Sequence, residues 1–132
     1  VVDVVVEVGD WEHECCGPAY ERGQVVDLTC MVVTTPEGAT VLVETRHEIG
    51  VHWPLEHVRG RVVDLEVVCA DGTSQAVLRV PDGSSLCGFG EDDGHLEDPW
   101  TGEVVVSSRN EFRVTVRVSG DRAPGAPPSY RD

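Results

Sequence analysis

The sequence predicts an all-β fold: a compact, mostly antiparallel barrel or small sandwich of about seven strands, with at most one short helix. Three observations carry this. Valine supplies 26 of the 132 residues, more than Leu, Ile, Met and Phe together, and branching at Cβ restricts χ1 and favours the pleated backbone. Apolar and polar residues alternate over several segments, the period of a half-buried strand. Breaker clusters (Pro36-Glu37-Gly38, Asp71-Gly72, Pro81-Asp82-Gly83, Thr101-Gly102) separate those segments, supplying the φ values that reversals require.

The elements follow in order. Val1–Val8 places Val2, Val4, Val6 and Val8 on one face, and Gln24–Val33 does the same with Val26, Leu28, Cys30 and Val32. Ala39–Thr45 is a third strand. Between Thr45 and His57 there is room for a turn or two of helix, limited by Pro54. Arg61–Ala70 puts Val63, Leu65, Val67 and Cys69 on one face, and Asp71-Gly72 turns it into Ser74–Val80 as a hairpin. Glu103–Ser107 and Glu111–Ser119 complete the set. Gly23–Leu28 and Gly60–Leu65 share the phrase Gly-x-Val-Val-Asp-Leu, the mark either of an internal duplication or of convergence on common strand chemistry. Residues 1–120 therefore form one β domain. Residues 121–132, with Ala123-Pro124-Gly125-Ala126-Pro127-Pro128, form an extended, polyproline-like tail.

Charge narrows the function. The chain carries 24 acidic and 10 basic side chains, a net −14, and every basic one is arginine. Such a surface repels phosphate, which argues against unspecific nucleic-acid binding. No apolar run approaches the roughly 18 residues of a membrane helix. The charge is uneven: residues 1–103 hold 5 Arg and 21 Asp/Glu, a net −16, whereas residues 104–132 hold 5 Arg and 3 Asp/Glu, a net +2. Arg113 and Arg117 on the last strand repeat the spacing of Asp3 and Glu7 on the first. That predicts cross-strand pairing of the two strands and closure of the barrel. Without it, Arg113 and Arg117, with Tyr130 of the tail, are candidate partner-binding residues.

His13, Cys15 and Cys16 offer imidazole and thiolate ligands of the kinds zinc or copper prefers. Their spacing is not that of two separated ligand pairs, and His47, His52 and His57 share no face from which to complete a site. A vicinal Cys15-Cys16 redox pair is a second reading, opposed by Glu12 and Glu14, which disfavour a thiolate. Cys30 and Cys69 lie on apolar faces and read as core. Glu91, Asp92, Asp93, Glu97 and Asp98 crowd one loop, without the order of a calcium-binding loop, and read as a solvated acidic segment. Five cysteines in no framework spacing, with no signal-peptide pattern at Val1–Val6, point to reduced thiols and the cytoplasm.

Trp11 to Val26 reads W-x-x-x-C-C-G-x-x-Y-x-x-G-x-V-V, carried by Trp11, Cys15, Cys16, Gly17, Tyr20, Gly23 and Val26. It resembles the opening of a family of small actinobacterial proteins of unknown function, and His57–Val62 is similar in character to a later segment of that family. The resemblance implies no activity.

The expected function is a non-catalytic interaction or assembly module with a protein partner or a second copy. The alternative is a metal or thiol centre at His13, Cys15 and Cys16. A ligand pocket in the barrel mouth, lined by His52, Trp53, His57 or Trp100, is a third.

Overall fold

The computed structural model describes residues 2–9, 17–45, 55–86, 88, 92–106 and 111–118. The Pro-rich tail and the Cys15-Cys16 motif lie outside the described residues, as do residues 46–54 of the Thr45–His57 stretch expected to hold a turn or two of helix; its last three residues, Leu55, Glu56 and His57, are strand instead. The strands are β1 (Val2–Gly9), β2 (Tyr20–Glu21), β3 (Val25–Thr34), β4 (Thr40–Glu44), β5 (Leu55–Val68), β6 (Ser74–Ala76), β7 (Arg79–Val80), β8 (Leu96–Glu97), β9 (Val104–Val105) and β10 (Glu111–Val118), and one short helix, α1, spans Gly83–Leu86. The fold is all-β, as the valine content and alternation predict.

Five of these strands close into a barrel in the order β10-β1-β4-β3-β5, with β5 returning to β10. The first and last strands pair antiparallel along their whole length, from Val2↔Val118 to Gly9↔Glu111, with Asp3 opposite Arg117 and Glu7 opposite Arg113. The charge spacing read from the sequence is thus the register that closes the barrel. A ring with an odd number of strands cannot alternate direction all the way round. The one parallel pair is the short β1–β4 seam, Val6↔Leu42 and Glu7↔Val43. Traced from β5 through β10, β1, β4 and β3, the ring has the pairing order of an OB-fold barrel whose chain starts elsewhere. A shared connectivity assigns no ligand.

β5 makes closure feasible by serving two neighbours. Its first half pairs with β3 (Leu55–Arg61) and its second with β10 (Arg61–Val67). Gly60 stands at the changeover, where a Cβ would overlap the Arg117 carbonyl oxygen, so only glycine admits the close approach of the two backbones. Beyond it, Thr115 faces Asp64 while Val116 faces Val62, leaving Val63 as the extra residue of a bulge. The bulge reverses the phase of the inward face. Val58 and Val62 are buried before it, Leu65 and Val67 after it, whereas strict alternation assigns Val63 to the core. Cys69 falls past the end of β5 and is only half-buried, so it is not the core cysteine the sequence implied; Cys30 is.

The repeated phrase does not mark equivalent positions. Gly23 turns the chain with φ +86°, while Gly60 is the contact point of β5. The two copies even pair with each other, Val25↔Arg61 and Val26↔Gly60. Their glycines do different work, which favours convergence.

The hairpin over Asp71-Gly72 forms as expected, Glu66↔Ala76 to Val68↔Ser74, but the second strand breaks at Val77-Leu78. Val77 N–H still bonds Leu65 O at 2.9 Å, whereas Leu78 N–H turns to Glu97 O at 2.8 Å. Arg22 braces the break, donating to the carbonyls of Val77 and Leu65 and pairing with Asp64 at 2.9 Å. From there the chain leaves the barrel for a row of short elements: β7 pairs with β2, Tyr20↔Val80, and β8 with β9. Val6, Val58, Val62, Leu65, Phe112, Val114 and Val116 centre the buried core of the described residues.

Candidate functional site

The β8–β9 hairpin is built from its turn outward. Leu96↔Val105 and Glu97↔Val104 pair antiparallel. Between them the Asp98 carboxylate accepts the Trp100 and Thr101 amides at 2.8 and 3.0 Å. Gly102 N–H returns to Asp98 O at 2.9 Å and Asp98 N–H to Glu103 O at 2.8 Å. This is the self-bonded turn that an aspartate followed by Pro99 and, three residues on, Gly102 can make. Leu96 and Val105 anchor the hairpin in the core. Because side chains alternate along a strand, burying Val105 turns Val104 and Val106 outward. They are 66% and 88% exposed, and Trp100 at the turn is 79% exposed.

A polar network holds the segment leading into β8. Arg79 on β7 grips Asp92 with both terminal nitrogens, Nη2–Oδ1 being 2.6 Å, and also donates to His95 O at 3.0 Å. Asp92 accepts the Gly94 amide at 2.7 Å and Asp93 the His95 amide at 3.0 Å. The His95 ring bridges two carboxylates, Nδ1 on Asp93 and Nε2 on Glu97 at 2.5 Å. Gly94, at φ +72°, lies so close to α1 that a Cβ would sit 2.5 Å from Ser85 O, which fixes the loop against the helix. Arg79 holds the Asp92 carboxyl well below its usual range. His95 lowers Asp93, and Asp93 first, then Glu97, raises His95.

The donor atoms of Asp92, Asp93 and His95 lie within 4.8 Å of one another, but each carboxylate already accepts hydrogen bonds and both ring nitrogens are engaged. The cluster is a hydrogen-bonded clamp, and its chemistry is to order a loop. At the barrel end, the Tyr20 hydroxyl donates to the buried Glu44 carboxylate. Burial, and secondarily Glu44, push the Cys30 thiol up to about 12, which makes it inert as a nucleophile.

Of the residues singled out from sequence, Arg117 makes a two-point bond to Asp3, Nε–Oδ1 2.8 Å and Nη2–Oδ2 3.1 Å. Arg113 stands in register between Glu7 on β1 and Glu66 on β5. His57 projects from β5 beside Asp27 at 3.5 Å, with 73% of its side chain exposed; like Trp100 it is too open to line a pocket. His13, Cys15, Cys16, His47, His52, Trp53 and Tyr130 lie outside the described residues. The sequence reading missed the hairpin, because strands of two residues carry no periodicity; the Asp98-Pro99-Trp100-Thr101-Gly102 turn ahead of Val104 was the available signal. No family model, curated protein or solved structure matches the chain.

Proposed function

We propose that the protein is a non-catalytic interaction module whose β8–β9 hairpin docks a cationic, apolar-bearing segment of another protein in the cytoplasm. One observation carries the reading: Trp100, Val104 and Val106 project into solvent from a hairpin whose turn and approach are held by a dense set of hydrogen bonds. A tryptophan presented on a pre-ordered support loses little entropy on burial and is the residue type that most often dominates binding energy. The partner's charge follows from the surroundings. Residues 92–106 contain five carboxylates, Asp92, Asp93, Glu97, Asp98 and Glu103, and no arginine, so a basic rim around an apolar recess is the complementary surface. A second copy brings another −14 and is disfavoured by repulsion. The free thiols of Cys30 and Cys69 suit a reducing compartment.

Selection from a displayed random-peptide library tests this. Enriched peptides are expected to combine Arg or Lys with aromatic or aliphatic residues, to weaken with salt, and to lose at least about 30-fold in affinity to Trp100→Ala. Peptides without basic excess, or binding Trp100→Ala unchanged, would refute it. Stoichiometric zinc or copper in the purified protein, lost in Cys15→Ala, would instead favour the metal reading of His13, Cys15 and Cys16.

A further inference from the structure

We propose that His95 is a protonation-gated latch on the Asp93 carboxylate, so that loss of its Nδ1 proton removes the ring's hold on Asp93 and makes the docking face more acidic. The inference rests on the docking reading above, and it names that site's regulation. An imidazole with carboxylates on both nitrogens, Asp93 at Nδ1 and Glu97 at Nε2, must carry two protons, because a carboxylate can only accept. The arrangement is therefore that of the imidazolium.

The neutral ring has one donor, and the surroundings decide where it stays. Arg79 Nη2 lies 3.4 Å from Nδ1; its two N–H groups are held by Asp92 and the His95 carbonyl, and its positive charge favours a lone pair over a proton on that nitrogen. No donor faces Nε2 among the described residues. The neutral form thus keeps its proton on Nε2 toward Glu97, with Nδ1 bare beside the Arg79 cation, and leaves Asp93 facing a lone pair. The ring's bond to Asp93 is the one lost, leaving that carboxylate on the His95 amide; Glu97, and with it the β8 strand, stays attached to the ring.

The groups that face the ring bear on this from each packed element. Arg79 on β7 opposes protonation, while Asp93 in the loop and Glu97 on β8 favour it. Asp92 is engaged by Arg79, and Asp82 ahead of α1 is engaged by Ser85 Oγ at 2.6 Å. With Arg79 counted, the five carboxylates of 92–106 sum to −3 with the imidazolium and −4 without it. Deprotonation therefore strips the Asp93 carboxylate, 73% exposed even when latched, of its ring partner and adds a unit of negative charge to the loop that leads into the hairpin. A cationic segment should bind better above the His95 midpoint than below it.

Imidazole nitrogen shifts recorded against pH on the full chain, with His95→Gln to assign the signals, test the latch without any partner. The expected result is a His95 midpoint above the ordinary value of 6.5, an Nε2–H tautomer at high pH, and Gly94 and His95 amides that move with the same midpoint while the Trp100 amide does not. Asp93→Asn should lower the midpoint more than Glu97→Gln. A midpoint at or below 6.5, an Nδ1–H neutral tautomer, or Gly94 and His95 amides indifferent to the titration would each overturn the proposal. Since the measurement is made on the free protein, it can fail while Trp100-dependent peptide binding stands, and the reverse.

Discussion

Val4-Val5-Val6 and Val104-Val105-Val106 are the same tripeptide with opposite fates. In β1 the outer two turn inward, Val6 fully buried and Val4 against the core, while Val5 faces out. In and after β9 only the middle valine, Val105, is buried. What differs is phase. β1 is held on both sides, by β10 along its length and by β4 at the seam, so its register is dictated by the core. β9 has only two paired residues, and those bury Val105. Phase alone converts a core segment into an apolar surface, and it does so beside the densest carboxylate cluster among the described residues.

Substitutions should separate the two regions clearly. Phe112→Ala, in the barrel core, is expected to cost about 3–5 kcal/mol, read as a lowered urea midpoint. Gly60→Ala should cost about 3 kcal/mol, because the clash is with the Arg117 backbone of β10 and no side chain can swing away. Val6→Ala should cost about 2 kcal/mol and Val106→Ala no more than about 0.5 kcal/mol; equal costs would show that the two valine runs do not differ in burial.

Around neutral pH, titration of His95 should act on the approach to the hairpin. A raised His95 pKa means that its contribution is fully present below the unfolded-state value of about 6.5 and is lost as pH rises through the folded midpoint. Hydrogen exchange, corrected for its intrinsic pH dependence, is expected to quicken at Gly94 and His95 over that window and to stay constant along β1 and β10. The smallest effect is Arg117→Ala. Its partner Asp3 is exposed, such pairs contribute little and are screened, so the urea midpoint should move within replicate scatter in high salt.

Parts of this were readable from residues alone, for identifiable reasons. The inward face of β10 and its pairing with β1 were legible because both strands are regular and their charges repeat at the same spacing. β5 was not, since its phase is reversed by a bulge at Val63 and its length depends on Gly60 lying against β10, a contact distant in sequence. The break at Val77-Leu78 was hidden because hydrogen bonds to Leu65 O and Glu97 O decide it, not local propensity. Of the site, the acidic loop was visible as composition. Its ordering by Arg79 and His95 was not, because opposed charges that meet across a fold leave no local pattern.

The central claim is that docking belongs to the hairpin and not to the barrel wall. Amide shift mapping with a library-selected basic peptide tests it most directly. Perturbations are expected to concentrate at 92–106 and to be absent in Trp100→Ala. Perturbations concentrated on the outer face of β1 and β10, around Arg113 and Arg117, would contradict it.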